Sequence, residues 1–439
     1  MTKKLNHLKN IAMVAYTFPP LNYSGTERPF QFAKYLPEFG YLPYIISQDN
    51  YINYHIAAND SEKLEQLNPK AIVYRLKTIK SHLEDTQIIR WFDIRLQQLT
   101  GKVKIMSRVL YMPFQLTISS FEWELRSVFK IVYLKWTKGI TLIWATGPAW
   151  QDLTVGYWAS RLTGLPYIMD LRDPMTYGLL WQPKNLNESK KLFKREYRYL
   201  KHAKKVIFTS PLTEENYIAR YPDILKGKTC SITNGFDVDS SINNHNKKER
   251  DKLIISYIGR LTKGIRNPEF FLEGFKEACN NSNFADNIEL RMIGYIDDFV
   301  DIIESCNNHG NIKITKVVPR QESLELMMES DVLIIIQSIE GEGSDVISGK
   351  LFEYLNARKY VIGVVDEQGG DSWLIKQTGC GTVTGLEKVS KVAEALLNVY
   401  DLWKNKNLIG LQDKDYSQFN RNHITKNLAE VFNGLLDES

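Results

Sequence analysis

Short β-branched runs separated by stretches long enough for amphipathic helices recur along almost the whole chain, and this alternation most narrows the fold. In the first half, strands are expected over 11–16, 42–47, 71–76, 141–145, 167–170, 205–209 and 229–232, with helices over 28–39, 151–163 and 187–202. Strand–helix alternation builds a parallel sheet covered on both faces. Strands buried on both sides read as near-continuous apolar runs, as Ile11-Ala-Met-Val-Ala does. The polar stretch 237–252 then breaks the pattern and reads as a linker or exposed loop. Beyond it the alternation restarts, with strands over 253–258, 289–293, 312–315, 331–336 and 360–364 and helices over 268–279, 321–330 and 350–356. At 439 residues the chain is too long for one ordinary core. The expected fold class is α/β: two Rossmann-like doubly wound domains, 1–236 and 250–415, facing across a cleft, with a C-terminal helix in 416–439 packing back toward the first domain.

Open parallel sheets bind ligands outside the carboxyl ends of their strands, so the loops there carry the candidate chemistry. The first, Tyr16-Thr-Phe-Pro-Pro-Leu-Asn-Tyr-Ser-Gly-Thr-Glu-Arg, lacks Gly-x-Gly-x-x-Gly, which argues against a dinucleotide site. Gly25 and Thr26, just before a helix expected near Arg28, either offer N–H groups to an anion or only make the turn and cap the helix. Thr146 and Gly147 end one strand, and Asp170, Arg172 and Asp173 end the next. These residues form either a ligand-facing wall or a buried Asp170–Arg172 pair that orders the loop. Asp173, just before Pro174, is the better placed of the carboxylates to face a ligand.

In the second half, Gly259, Arg260, Lys263 and Arg266 precede a helix opening near Pro268. A glycine, several cations and a helix N-terminus suit a diphosphate. The strongest signal is the glycine-rich loop from Gly341, leading into a helix that opens near Ser348. Lys350 falls in its first turn, where a cation is unfavourable unless an anion sits there. Glu353 follows on the same helical face. The lysine would hold phosphate, and the glutamate would accept from ribose hydroxyls.

Other classes are disfavoured. A net charge of +5 is too mild to argue for nucleic acid, and no recognition-helix or zinc-finger pattern occurs. The four cysteines and seven histidines are scattered without metal-ligand spacing. No run of about 18 apolar residues exists, and the basic N-terminus has no apolar stretch behind it, so a cytoplasmic protein is expected. Residues 88–136 carry eight Lys/Arg against three acids, with Trp91, Phe92, Tyr111, Phe114, Trp123 and Trp136 interleaved. Within them Phe121, Leu125, Val128, Phe129 and Val132 recur at helical spacing, suiting either a buried face with a basic outer side or contact with anionic lipid.

In order along the chain, Phe18-Pro-Pro, Ser24-Gly-Thr-Glu-Arg-Pro, Ala145-Thr-Gly-Pro, Asp170-Leu-Arg-Asp-Pro, Asn234-Gly-Phe-Asp and Gly349-Lys-Leu-Phe-Glu-Tyr-Leu resemble the retaining glycosyltransferases of family four, built on the GT-B fold. The resemblance implies acceptor binding in the first domain and nucleotide-sugar binding in the second. It implies catalytic roles for Asp173, Lys350 and Arg260, and donor contacts at Gly25, Gly259, Arg266, Asp345, Gly349, Lys350 and Glu353. Acceptor contacts would fall at Thr26, Arg28, Thr146, Gly147 and Arg172. Glu353 matches the second glutamate of the family's Glu-x7-Glu motif. The first is replaced by Asp345, with Glu340 and Glu342 as nearby substitutes. The implied activity is transfer of a sugar from a UDP- or GDP-sugar to a glycan or lipid-linked acceptor with retention, in cell-surface polysaccharide biosynthesis. No cofactor or metal is implied, and peripheral contact at the inner face of the membrane through 88–136 is. The alternatives are a nucleotide-sugar epimerase of the same fold and a non-catalytic nucleotide-sugar or glycan-binding protein.

Overall fold

Seven parallel strands make the first sheet of the computed structural model: β1 (Lys9–Val14), β2 (Tyr41–Gln48), β3 (Ile72–Leu76), β4 (Leu142–Gly147), β5 (Tyr167–Leu171), β6 (Lys205–Phe208) and β7 (Thr229–Ser231). Their spatial order is β3-β2-β1-β4-β5-β6-β7. The second sheet has six parallel strands: β8 (Leu253–Arg260), β9 (Ile288–Tyr295), β10 (Ile312–Thr315), β11 (Val332–Ile336), β12 (Tyr360–Val364) and β13 (Gly381–Val383). Their order is β10-β9-β8-β11-β12-β13. The structure describes residues 7–21, 24–49, 61–67, 69–78, 113–178, 183, 185–237, 251–408 and 414–437.

Among the described residues the helices of eight or more residues are α1 (Ser24–Tyr35), α2 (Pro113–Lys138), α3 (Trp150–Thr163), α4 (Leu186–His202) and α5 (Pro211–Arg220), then α6 (Glu269–Ala278), α7 (Arg320–Glu329), α8 (Gly349–Asn356), α9 (Gly370–Thr378), α10 (Val389–Lys404) and α11 (Arg421–Asp437). One face of the first sheet is covered by α2, α3, α4 and α5, which bury Trp123, Ile131, Leu153, Leu200 and Tyr217. The other face is covered by α1 and by α11, whose Leu428, Ala429 and Phe432 join Phe30, Phe32 and Trp144 in one apolar cluster. In the second domain α6 and α10 lie on one face of the sheet, and α7, α8 and α9 on the other. Strands β1, β2, β4, β5, β11 and β12 are almost wholly buried because both faces are occluded, as a doubly wound sheet requires, whereas the edge strand β10 exposes Lys313 and Ile314.

The chain crosses between the domains at two adjacent places. Phe236 N–H donates to the Phe419 carbonyl at 3.0 Å, and Arg421 N–H donates to Phe236 at 2.9 Å. The second crossing delivers α11 to the first domain, where Phe432 meets the Tyr41 ring edge-on at 5.2 Å and the Tyr41 hydroxyl donates to Asn433 at 2.6 Å.

Several elements differ from the sequence expectation. Helix α1 opens at Ser24, not near Arg28, so Gly25 and Thr26 lie in its first turn and not before it. Pro29 marks the discrepancy: proline favours the opening of a helix, but here it sits one turn further in. Strands β8 and β9 run on to Arg260 and Tyr295, two residues past their expected ends. Strand β13 was not expected at all; it is three residues long and begins with glycine, leaving no periodicity to detect. Most of the polar stretch after 237 lies outside the described residues, as does the part of the basic segment over 88–112 with Trp91, Phe92 and Tyr111. Among the described residues no helix is long and apolar enough to cross a membrane.

Truncating a fully buried aromatic removes apolar contact and leaves a cavity. Phe432→Ala is therefore expected to destabilise the first domain by about 3–5 kcal/mol, although its α11 is last in the chain. Urea unfolding followed by tryptophan fluorescence would check this, and an unchanged midpoint would mean α11 is not part of that core.

Candidate functional site

Each sheet reverses its strand order once, between β1 and β4 in the first domain and between β8 and β11 in the second. Loops at these switch points splay apart and leave a crevice. The two crevices face each other and enclose a cavity of about 910 Å³ lined by residues of both domains. Among the described residues Arg28, Arg172, Arg260, Arg266, Arg320, Lys350 and Arg421 line it, against three carboxylates, Glu27, Asp173 and Glu353. The cavity is therefore strongly electropositive.

On the second-domain wall, Gly259 and Gly294 sit side by side at the ends of β8 and β9. Both have positive φ, +155° and +122°. A Cβ at Gly294 would strike the Gly259 carbonyl, and one at Gly259 would strike the Lys350 side chain. The bare backbone thus opens a channel along which Lys350 runs from the first turn of α8. Its ammonium donates to the Ile258 carbonyl at 2.8 Å and lies 5.3 Å from the centre of the Tyr257 ring. Burial, with the nearby Arg266 charge adding to it, lowers the Lys350 pKa to about 8. A buried cation beside another cation at a helix N-terminus is unfavourable unless an anion arrives.

Other residues shape the same wall. Arg260 stacks on Tyr295 with its guanidinium 4.3 Å from the ring centre. Glu353 lines the cavity and pairs with Arg320 at 3.2 Å. Gly349 opens α8, and the N-cap Ser348 makes no side-chain capping bond. The Ser348 N–H instead donates to the fully buried Asp371 at 2.7 Å, which holds the end of the glycine-rich loop in place. Burial raises the Asp371 pKa to about 7. Lys263 is exposed and does not line the cavity.

The first-domain wall is built around Arg28. Its guanidinium makes a two-point contact with Asp170, Nη2 to Oδ1 at 2.8 Å and Nε to Oδ2 at 3.0 Å, and donates to the Thr233 carbonyl at 3.0 Å. Thr146 donates to the same carboxylate at 2.7 Å. Asp170 thus pairs with Arg28, not with Arg172. Arg172 instead donates to the Gly25 carbonyl, the acceptor that Pro29, lacking an N–H, leaves open one turn along α1. Asp173 lines the cavity beside Arg172, and burial raises its pKa despite that positive neighbour.

Three expected acceptor contacts do not reach the cavity. Thr26 and Thr146 are buried behind the wall, and Gly147 serves it through its carbonyl, which accepts from Arg172 N–H at 2.8 Å. Asp345 is also redirected. Its carboxylate accepts from Tyr177 at 2.7 Å and from Asn216 at 3.0 Å, both in the first domain, so it joins the domains and does not line the cavity. Neither nearby substitute lines it, and Glu342 pairs with Arg220 at 3.0 Å. Gly25, Arg28, Arg172, Asp173, Gly259, Arg260, Arg266, Gly349, Lys350 and Glu353 do line it. Arg320 and Arg421 line it as well, with no motif to announce them. Arg421 lies between Glu27 and Asp237, 3.7 and 3.6 Å away, where the chain re-enters the first domain. Among the described residues no group of three or more His, Cys, Asp or Glu is placed to hold a metal ion.

No protein-family model and no curated protein matches the chain in sequence. Solved structures do match in fold. A glycosyltransferase from Rickettsia africae superposes with a TM-score of 0.66 at 17% identity, over 98% of this chain and 100% of that one. Sucrose-phosphate synthase from Thermosynechococcus elongatus gives 0.62 at 15% identity, over 98% and 100%. A putative UDP-N-acetylglucosamine 2-epimerase from Listeria monocytogenes gives 0.54 at 10% identity, over 98% of each chain. These likenesses establish the GT-B fold.

Removing one partner of a buried pair strands the other's charge. Asp170→Asn is expected to cost about 3–5 kcal/mol of stability because Arg28 and Asp170 are almost fully buried. Arg28→Met combined with Asp170→Asn should recover part of that loss in a denaturation series. Additive losses would show that the pair does not act as a unit.

Proposed function

We propose that the protein is a glycosyltransferase that binds a nucleotide sugar in the second-domain half of the cleft and transfers its sugar to an acceptor held against the first domain. The observation that carries this reading is Lys350: a buried ammonium at the mouth of α8, beside the bare backbone of Gly259 and near Arg266. Such an arrangement is costly when empty and suits a diphosphate. Glu353, three residues along the same helix and lining the same cavity, would accept from ribose hydroxyls.

In the proposed reaction the bond between the anomeric carbon and the diphosphate breaks, and its electron pair leaves with the diphosphate. An acceptor hydroxyl attacks on the same face, forms the new glycosidic bond, and gives its proton to a departing phosphate oxygen. Configuration is retained. The protein's contribution is electrostatic: Lys350 with Arg260 or Arg266, and the N-terminus of α8, stabilise charge as it develops on the leaving group. Asp173 would orient the donor sugar or the acceptor hydroxyl from the opposite wall. The reading needs no metal and no cofactor. It extends to a UDP- or GDP-sugar donor, a glycan or lipid-linked acceptor in cell-surface polysaccharide synthesis, and work at the cytoplasmic face of a membrane. The fold likeness to an epimerase supports a second reading, in which the donor is epimerised without an acceptor.

A panel of UDP-, GDP- and ADP-sugars incubated without acceptor, with products followed by NMR, separates these readings. Slow release of free sugar with retained configuration supports transfer, epimerised nucleotide sugar supports the second reading, and no binding to any member contradicts both. Lys350→Ala is expected to abolish turnover of the donor so found.

A pH series tests the same lysine. Only its ammonium form attracts a diphosphate, and a bound anion would raise its pKa, so binding takes up a proton where the empty site is neutral. Affinity for the nucleotide sugar should therefore fall as pH rises past about 8, approaching about tenfold per pH unit. Lys350→Arg, charged throughout, should flatten this dependence. A wild-type affinity constant from pH 7 to pH 9.5 would take Lys350 away from the diphosphate.

A further inference from the structure

The glycine-rich loop that leads into α8 is gripped from both domains. Its own domain holds Gly341, whose N–H donates to Asp366 at 3.1 Å, and Ser344, whose carbonyl accepts from Gly370 N–H at 2.7 Å. It also holds Ser348 through Asp371. The first domain holds Glu342, Gly343 and Asp345. Besides Tyr177 and Asn216 on the Asp345 carboxylate, Thr213 donates to the Asp345 carbonyl at 3.3 Å, and Arg220 pairs with Glu342. Gly178 meets Gly343 backbone to backbone, so closely that a Cβ on Gly178 would lie 3.1 Å from the Gly343 Cα.

Tyr177 is itself braced from behind. Glu196 of α4 accepts from three hydroxyls, those of Thr176 at 2.5 Å, Tyr221 at 2.5 Å and Tyr217 at 2.7 Å. The Tyr217 hydroxyl in turn accepts from Met175 N–H at 2.9 Å. Met175 and Thr176, the two residues before Tyr177, are thus both tied to one carboxylate. Glu196, Thr176, Tyr177 and Tyr217 are all buried. Burial raises the Glu196 pKa, with the three hydroxyls acting against it. The Tyr177 ring is fixed as well, 5.5 Å from the Tyr217 ring and 4.6 Å from the Arg220 guanidinium. A buried chain of directional bonds therefore runs from α4 through Tyr177 to Asp345, just before Ser348, the N-cap of α8. Apolar contact alone would hold two domains together, whereas a satisfied buried polar network also fixes one geometry.

We propose that Tyr177 is a positioning residue of the donor site, acting from the opposite domain. Braced by Glu196, its hydroxyl holds Asp345, and through Asp345 the glycine-rich loop, in the path that presents Ser348, Gly349 and Lys350 to a diphosphate. This role rests on the reading of α8 as the donor site. It gives Asp345 a task other than the sugar contact implied by its place in the motif. Donor affinity then belongs to both domains, although the diphosphate lies against the second.

Two measurements on the full-length protein test this. The first needs no ligand: hydrogen–deuterium exchange of the peptide covering 341–350. Tyr177→Phe keeps the ring and deletes the hydroxyl, and should speed exchange there by about tenfold while leaving β8 unchanged. Glu196→Gln should speed it in the same peptide. The second is calorimetric titration with UDP, GDP, UDP-glucose and GDP-mannose. For whichever base binds, Tyr177→Phe should weaken the nucleoside diphosphate and the nucleotide sugar by the same factor, about tenfold. Asp345→Ala should also weaken both, and adding Tyr177→Phe to it should cost nothing more. Loop exchange at the parent rate in Tyr177→Phe would overturn the proposal, and so would faster exchange with diphosphate affinity unchanged. A loss in Asp345→Ala confined to the nucleotide sugars, with Tyr177→Phe silent, would return Asp345 to the sugar and overturn it too. A parent protein that binds none of the four nucleotides, with Tyr177→Phe still loosening the loop, would refute the donor reading and not the grip of Tyr177 on the loop.

Discussion

A buried guanidinium organises the first-domain side of the cleft. Arg28 reaches from α1 to Asp170 at the end of β5, and that carboxylate also collects Thr146 from the end of β4. A third contact, to the Thr233 carbonyl, fastens the chain just before it leaves the domain. One ion pair therefore registers α1, two adjacent strand ends and the interdomain crossing. Beside it Arg172 occupies the carbonyl that Pro29 leaves open, and so holds α1 against the loop that carries Asp173. An ion pair this dry is worth little as net stability but costs heavily when broken, which suits a part whose task is to hold geometry.

The opposite wall is organised by a cation with no carboxylate hydrogen-bonded to it. Lys350 crosses the bare backbone at Gly259 and spends its visible hydrogen bond on a carbonyl, close enough to Arg266 for each charge to disfavour the other. The two walls thus differ in kind: one side's arginine is neutralised by a carboxylate, while the other's lysine is hydrogen-bonded to a carbonyl. Between them Asp345, Tyr177 and Asn216 join the glycine-rich loop to the first domain, so the loop that leads into α8 is positioned by both domains at once. A ligand bound at α8 would feel the relative placement of the domains through that contact.

The layout of the fold was legible because strands of a parallel sheet are written as short, largely apolar and β-branched runs between helical stretches, and twelve of the thirteen described strands coincide with segments expected from the sequence. Lys350 and Glu353 were legible for a related reason: a lysine in a first helical turn is out of place, and helical spacing puts the glutamate beside it. The pairing of Arg28 with Asp170 was not legible because the two lie 142 residues apart, a distance no local pattern spans. Asp345 occupies a motif position, yet its direction depends on a tyrosine and an asparagine of the other domain. Arg320 and Arg421 sit on ordinary helices and reach the cleft only through tertiary placement. The repeat on α2 shows the limit of periodicity, which reveals a face but not whether that face is covered: Val128 is buried, while Phe121, Leu125 and Phe129 are exposed.

The most direct measurement is a crystal structure of the protein soaked with a nucleoside diphosphate. The diphosphate should lie at the N-terminus of α8, with an oxygen about 2.7–3.2 Å from Lys350 Nζ, a guanidinium of Arg260 or Arg266 on the same group, and the ribose against Glu353. A diphosphate seated on Arg28 or Arg172, or anywhere outside the cleft, would contradict the assignment of the second domain as the donor site.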